Sequence, residues 1–513
     1  MCQHIQRAAR GRPVHGRRWW RPLLLAGITL VPGALPAQAP TRADSLEGEL
    51  RRVRFQLDSL GRVTAELRAP QRDMDRAVTE LATVRPAAPA DSLRPTAERR
   101  LLDSLATVIR SLQARMDSLS RAGGVAASPA GPPPQPPPAQ VGHAGLYMNI
   151  GFSGLADFGW SSEPDVESLQ RGDHDPAVRG FTIPNEEITL DGAVDPYFKG
   201  VVDVVYKLQP DGESRFELEE AYFLTSSLPW NLQVKFGQSY TEIGRQNQQH
   251  PHAWAWVDQP LVLNRMFGPD GLRGQGARIS WLVPTPWYTE AMVSVLNSTG
   301  ETTFSFRSEE SSEIHGGVPM ERATDGALDL LIVPRVATSV DLTDTHTLLV
   351  GASAAFGPNN SGLDARTQIY GADLYWKWKS ATAAAGFPFV SWQAEALLRR
   401  YDAAERPSAA DPAATLPEER LTDRGVYGQL LWGIKPRLLV GLRGEYVSGS
   451  RAAFDSQLRA DRYRVSPNVT WYPTEFSKAR LQYNYDHRSG VGSDHSLWMQ
   501  FEFILGAHAA HKF

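Results

Sequence analysis

The chain has 513 residues, of which 42% are hydrophobic and 21% charged, with a formal net charge of -4 and a mean hydropathy of -0.33. This balance carries no electrostatic footprint for nucleic acid, and no apolar stretch after Val31 approaches the roughly 20 residues of a membrane helix, which excludes a multi-span helical protein. The single cysteine, Cys2, lies in the first segment, so the remainder has no disulfide framework and no thiolate metal site.

Residues 1–39 read as a secretory signal peptide. Arg7, Arg10, Arg12, Arg17, Arg18 and Arg21 precede an apolar run from Leu23 to Val31, and Ala37-Gln38-Ala39 supplies a small-x-small cleavage pattern. The destination is the periplasm or beyond. Residues 40–122 have a seven-residue period, with Leu46, Leu50, Val53, Leu57, Leu60 and Leu67, then Leu102, Leu105, Ile109, Leu112, Met116 and Leu119. So narrow a seam is best buried against a copy of itself, which predicts a periplasmic coiled coil broken near Pro70 and between Pro86 and Pro95. An antiparallel hairpin within one chain is the alternative. Residues 123–140, with Pro132-Pro133-Pro134 and Pro136-Pro137-Pro138, form a semi-rigid linker.

Over 141–513 the period becomes two. Candidate strands lie near 145–153, 187–195, 197–208, 215–225, 231–240, 276–283, 288–297 and 329–341. Eight more lie near 346–356, 367–379, 389–401, 424–434, 437–447, 461–472, 478–488 and 496–506. Short links, such as Lys435-Pro436, alternate with long ones, such as 154–186 and 298–328. That alternation of short turns and long loops belongs to transmembrane barrels. The predicted fold class is therefore an all-β transmembrane antiparallel barrel of about 16 strands, preceded by an α-helical coiled coil. On one strand Leu481, Tyr483 and Tyr485 alternate with Arg480, Gln482 and Asn484. Charges are tolerated only on a water-facing side, so the second set is expected to line the lumen.

The last strand alternates Leu497, Met499, Phe501, Phe503 and Leu505 with Ser496, Trp498, Gln500 and Glu502, and the chain ends on Phe513. It resembles the closing strand of a bacterial outer-membrane barrel. That resemblance implies that Phe501, Phe503 and Phe513 carry a signal for the barrel-assembly machinery. Further stretches, Phe236-Gly237-Gln238, Gly244-Arg245-Gln246-Asn247, His250-Pro251-His252, Asp258-Gln259-Pro260-Leu261, Ser466-Pro467-Asn468-Val469-Thr470-Trp471-Tyr472-Pro473 and Glu475-Phe476-Ser477-Lys478, resemble the porin O/P-type, phosphate-selective porin-like barrels. The C-terminal half also resembles proteins labelled zinc-regulated outer-membrane receptors. The resemblance implies an outer-membrane location, a trimer, and a third long loop folded into the pore.

The third loop, 241–275, carries Glu242, Arg245, His250, His252, Asp258, Arg265, Asp270 and Arg273. Opposed charges across a narrow aqueous path sort solutes by charge and size, whereas an outward-lying loop would only solvate them. The candidate pore-lining and constriction residues are Arg245, Arg265, Arg273, Lys377, Glu395, Arg399, Arg443, Glu445 and Arg480. An anion-selective pore wants a ladder of arginine and lysine; here Asp373, Glu395, Glu445 and Glu502 are mixed in. His250 with His252, and His508 with His511, are the tight histidine pairs and weak metal candidates. A pair falls short of the three or four ligands a zinc site needs.

No Gly-x-Ser-x-Gly elbow, His-Glu-x-x-His or phosphate loop occurs, and no enzyme activity or cofactor is expected. The expected function is passive diffusion of small hydrophilic solutes or ions. The alternatives are a metal-related receptor or transport barrel, or a structural barrel whose coiled coil tethers the membrane to the cell wall. The expected partners are outer-membrane lipid, the assembly machinery, further copies of the chain and the cell wall, with no nucleic acid.

Overall fold

The computed structural model describes residues 147–506, apart from 194, 210, 211, 322, 385, 412 and 455. The expected signal peptide, coiled coil and linker, the pair His508 and His511, and Phe513 lie outside the described residues.

Sixteen antiparallel strands close into one barrel. They are β1 (Tyr147–Ser161), β2 (Gly180–Ala193), β3 (Phe198–Leu208), β4 (Ser214–Thr225), β5 (Leu232–Tyr240), β6 (Arg273–Leu282), β7 (Tyr288–Asn297) and β8 (Leu330–Thr343). The circuit continues through β9 (His346–Pro358), β10 (Arg366–Ala384), β11 (Phe387–Ala403), β12 (Glu419–Lys435), β13 (Leu438–Gly449), β14 (Arg462–Thr474), β15 (Ser477–Arg488) and β16 (Gly492–Gly506). Each strand pairs with its neighbours in sequence, and β1 closes on β16 with Gly151 opposite Gly506 and Ser161 opposite Ser496. Closure removes the two free edges of the sheet, which hydrocarbon would not satisfy. Where β4 and β5 part beyond Ala221, the Gln238 side chain donates to the Leu218 carbonyl at 2.5 Å and Glu220 accepts the Tyr240 N–H at 2.9 Å.

The expected alternation holds. On β15, Arg480 is 2% exposed and Leu481 is 49% exposed, and the same contrast runs through β14 and β16. The outer wall presents Val469, Trp471, Leu497, Met499 and Phe501 to the surroundings. Such a wall is stable against hydrocarbon and costly against water.

Some strands run further than their hydrophobic stretches. β1 extends past 153 to Ser161, and β2 begins at Gly180 despite Pro184. The pairing slips by a residue between Leu155 and Asp157 and between Ile183 and Glu186. Proline is tolerated at such an irregularity because no ladder bond is required of it. The connection between β11 and β12 carries a small ribbon in which Arg406–Pro407 pairs with Thr415–Leu416.

At the long-connection end, helix α2 (Ser312–His315) lies in the segment joining β7 to β8. Ile314 and Phe304 pack there with Tyr401 of β11, Leu421 of β12 and Leu458, so two outward connections and two strand ends share one apolar cluster. His315 stacks on Tyr401 with ring centroids 5.7 Å apart, its Nδ1 accepts the Gly317 N–H at 3.0 Å, and its carbonyl accepts the Arg406 guanidinium.

Candidate pore constriction

The third outward connection folds into the barrel. Its first turn depends on Gly244, whose φ of +65° suits glycine and whose added Cβ would strike the Glu395 carboxylate. The Gly244 N–H donates to Ser353 Oγ at 3.1 Å and the Gln246 N–H to Glu395 Oε1 at 2.8 Å. Arg245 donates to Gln393 Oε1 at 3.1 Å and stacks over Tyr375 at 4.2 Å. Asn247 then ties the two ends of the segment together. It donates to the carbonyls of Thr241 and Leu272 at 3.0 and 2.9 Å and accepts the Leu272 N–H at 2.8 Å.

The middle of the segment is fixed to the last strands. Arg480 donates to the Trp254 carbonyl at 2.7 Å, and the Trp256 indole N–H donates to the Ser466 carbonyl at 2.9 Å. Asp258 is a hub. It pairs with Arg443 and with Arg464, the latter at 3.0 Å, and accepts from Gln482 and Asn484 at 2.9 and 3.0 Å. Arg443 and Arg464 also share Glu445, whose other oxygen accepts the Leu261 N–H at 2.6 Å. A carboxylate so surrounded keeps its charge inside the wall because each desolvated oxygen has donors.

Helix α1 (Leu261–Phe267) follows Pro260 and ends at Gly268, which has a φ of +81° and donates back to the Asn264 carbonyl at 2.9 Å. Leu261, Val262, Leu263, Met266 and Phe267 are buried against inward-facing Leu331, Val333, Ile369, Leu397, Tyr427 and Val447. The lumen is therefore not polar throughout. Near the long connections the wall turns apolar to receive this helix, a departure from a lumen-facing side read as uniformly water-facing.

The sequence candidates divide by place. Arg265, Arg399, Arg443, Glu445 and Arg480 meet where the segment joins the wall. Arg399 binds Asp423 at 2.7 Å and the Arg265 carbonyl at 2.9 Å. Glu395 lies under Gly244 and accepts the Tyr427 hydroxyl at 2.6 Å. Arg273 opens β6 and pairs with Glu217, and Lys377 stands apart over the Phe389 ring at 5.1 Å. His250 and His252 stack with centroids 5.8 Å apart and turn towards Glu187, Glu219 and Glu220 rather than forming a pair site of their own. Phe501 and Phe503 face outward on β16.

Arg459, Arg462 and Arg464, with Asp423 as a carboxylate partner, complete this network and were not singled out from the sequence. Arg462 and Arg464 alternate with Tyr463 and Val465, the same signal that marks Arg480. The signs are unevenly spread: Glu187, Asp203, Glu217, Glu219 and Glu220 cluster on β2 to β4, while Arg399, Arg443, Arg462, Arg464 and Arg480 on β11 to β15 are interleaved with Glu395, Asp423, Glu445 and Asp486.

No family model matches the chain. It is 31% identical over 361 residues to an "Uncharacterized protein" of Aquifex aeolicus (strain VF5), an alignment covering 65% of this chain and 70% of the relative. Among solved structures it is similar to the outer membrane channel DcaP of Acinetobacter baumannii, with 14% identity and a TM-score of 0.44 over 71% of this chain and 99% of that one. It is also similar to an anion-selective porin from Comamonas acidovorans, with 9% identity and a TM-score of 0.43 over 70% and 98%. Pseudomonas putida OprB gives 9% identity and a TM-score of 0.41 over 70% and 94%.

Proposed function

The chain belongs to the family of that Aquifex aeolicus protein, and from the barrel's own chemistry we propose that it is an outer-membrane channel, not an enzyme, through which small hydrophilic solutes or ions diffuse passively. One observation carries the reading: a closed barrel, apolar outside and largely charged inside, is crossed by its own third connection. Charged groups of both signs leave solutes to be sorted by charge and width, with half-buried Arg245 and Lys377 among the groups a permeant solute would meet, while Arg273, Glu395 and Arg480 are buried and set the position of the segment and wall.

Acidic groups line the lumen on both sides, on β2 to β4 and among the arginines of β11 to β15, so we propose no phosphate selectivity. Refolded protein in a planar bilayer should give stepwise conductance, and deleting 248–266 should raise the single-channel value. Complete electrical silence of both proteins would reject the channel.

For residues 40–122 the proposal is a periplasmic coiled coil that assembles protomers into a trimer and reaches towards the cell wall. The supporting feature is the heptad seam of Leu50, Leu57, Leu102 and Ile109. Sedimentation of the 40–122 fragment should give three times the monomer mass, and a monomeric, unfolded fragment would leave oligomerisation to the barrel.

A further inference from the structure

We infer that the lumen holds a binding site for a divalent transition-metal ion, built from His250, Glu187 and Glu219, with Asp203 and Glu220 alongside. The donor atoms come from three elements: Glu187 from β2, Glu219 from β4 and His250 from the infolded connection. One donor atom from each of these three lies within 4.8 Å of the others, and the same holds for Asp203, Glu220 and His250.

His250 Nε2 is hydrogen-bonded to Glu220 Oε2 at 3.0 Å, whereas the spacing around Nδ1 fits a metal. His250 Nδ1 is 3.1 Å from Glu219 Oε2 and 3.4 Å from Glu187 Oε1. Metal–ligand bonds of about 2.0–2.2 Å place neighbouring donors in a tetrahedron about 3.3 Å apart. At these separations Nδ1 and Glu219 Oε2 nevertheless make no hydrogen bond, with each other or with any other group. Asp203 is 4% exposed, and its Oδ1 likewise has no hydrogen-bond partner. Burying such atoms unsatisfied costs free energy that a bound cation would offset.

The remaining atoms of the same side chains are held in the manner of a ligand's outer support. Glu219 Oε1 lies 2.9 Å from His174 Nε2 and accepts the Tyr240 hydroxyl at 3.3 Å. Glu187 Oε2 lies 3.0 Å from His252 Nδ1, and Glu220 Oε1 accepts the Tyr240 N–H at 2.9 Å. Glu187 Oε1, which also accepts the Thr189 hydroxyl at 3.1 Å, and the unpartnered Glu219 Oε2 are thereby turned towards His250.

Charge points the same way. Four carboxylates, Glu187, Asp203, Glu219 and Glu220, converge here, while nearby Lys207 is committed to Asp173 and Glu217, and Arg273 pairs with Glu217 and lies 3.7 Å from Glu219 Oε1, not the oxygen that approaches His250 Nδ1. One imidazole with several carboxylates suits zinc, manganese or iron rather than a soft cation. The rival account of the same contacts is a protonated His250 clasped by carboxylates with no metal. The site does not depend on conduction, since binding is read without any solute flux.

The test uses the refolded full chain with H508Q and H511Q, which removes the other close histidine pair, dialysed against Zn²⁺. Bound metal is measured by mass spectrometry, and folding is checked by heat-dependent migration on gels. The expected result is one Zn²⁺ per barrel, with affinity at least about tenfold lower in each of E187Q, E219Q and H250Q. Zinc bound equally by all three variants, or by none of the proteins, overturns the site. X-ray absorption of the zinc-loaded chain needs none of these three changes and decides independently of whether those variants fold. A first shell of oxygens with one imidazole supports the site, and a shell of two or more imidazoles overturns it.

Discussion

Asp423 shows how strongly a single side chain holds the constriction. It is fully buried and receives Arg399 at 2.7 Å and Arg459 at 3.0 Å, with an Arg265 guanidinium nitrogen 3.9 Å away. Asp423→Asn would leave three cations facing one another in a desolvated place. Removing one member of a buried ion pair costs about 3–5 kcal/mol, and the midpoint of denaturant unfolding in lipid vesicles should fall accordingly. His315 sets a different limit, at the outer connections. Burial, and then the neighbouring Arg406 charge, push its pKa from 6.5 down to about 4. The folded state thus binds less proton there than the unfolded one, and stability contributed by neutral His315 is lost as pH falls from about 6.5 through about 4. Proteolytic nicking of the connections over 298–329 and 404–418 should rise across that window. In H315Q the rise should be reduced, and an unchanged rise would assign it to other groups.

At the level of elements, the infolded connection is held by two kinds of contact with different requirements. Asp258, Trp256 and the Trp254 carbonyl meet charged and polar wall groups, whereas α1 meets an apolar patch. The second half explains why the segment was only partly legible. Asp258-Gln259-Pro260-Leu261 marked it as distinctive, but Leu261, Val262, Leu263, Met266 and Phe267 give too few turns for a helical period. An apolar patch inside a barrel also reverses the rule by which the wall was read. The strands were legible because one face is excluded from water along each of them, as with Leu481 beside Arg480. Their ends were less so: β2 contains Pro184 at a slipped pairing, and alternation cannot reveal a slip. The Glu187, Glu219 and His250 group was hidden for another reason. The histidines were noted as a pair, but their partners lie on β2 and β4, brought alongside by closure of the sheet and not by spacing in the chain.

For the molecule as a whole, the outer wall decides the solvent. Val469 is 46% exposed on β14, among Tyr463, Val465 and Trp471. Val469→Arg should destabilise the barrel by about 2–4 kcal/mol in bilayers, read from unfolding in vesicles, although Arg464, between Tyr463 and Val465 on the same strand, carries no such cost because it points inward. An unchanged midpoint would mean that this wall does not face hydrocarbon. The ties between the infolded connection and the wall also fix an order of events in assembly. Trp256 and Asp258 find their partners on β13 to β15, with Ser466 lying 210 positions further along the chain. When 241–272 is made, its partners on β2 to β4 exist but those on β13 to β15 do not, and the groups that need the latter must wait in water or with a chaperone. The ring then closes through β1 and β16, the first and last strands to be synthesised. Contacts so distant in sequence form slowly, and a segment left outside when the ring shuts would have to thread back through the mouth of a finished barrel. The timing of closure, more than the strength of any one bond, determines whether the finished molecule contains its own constriction.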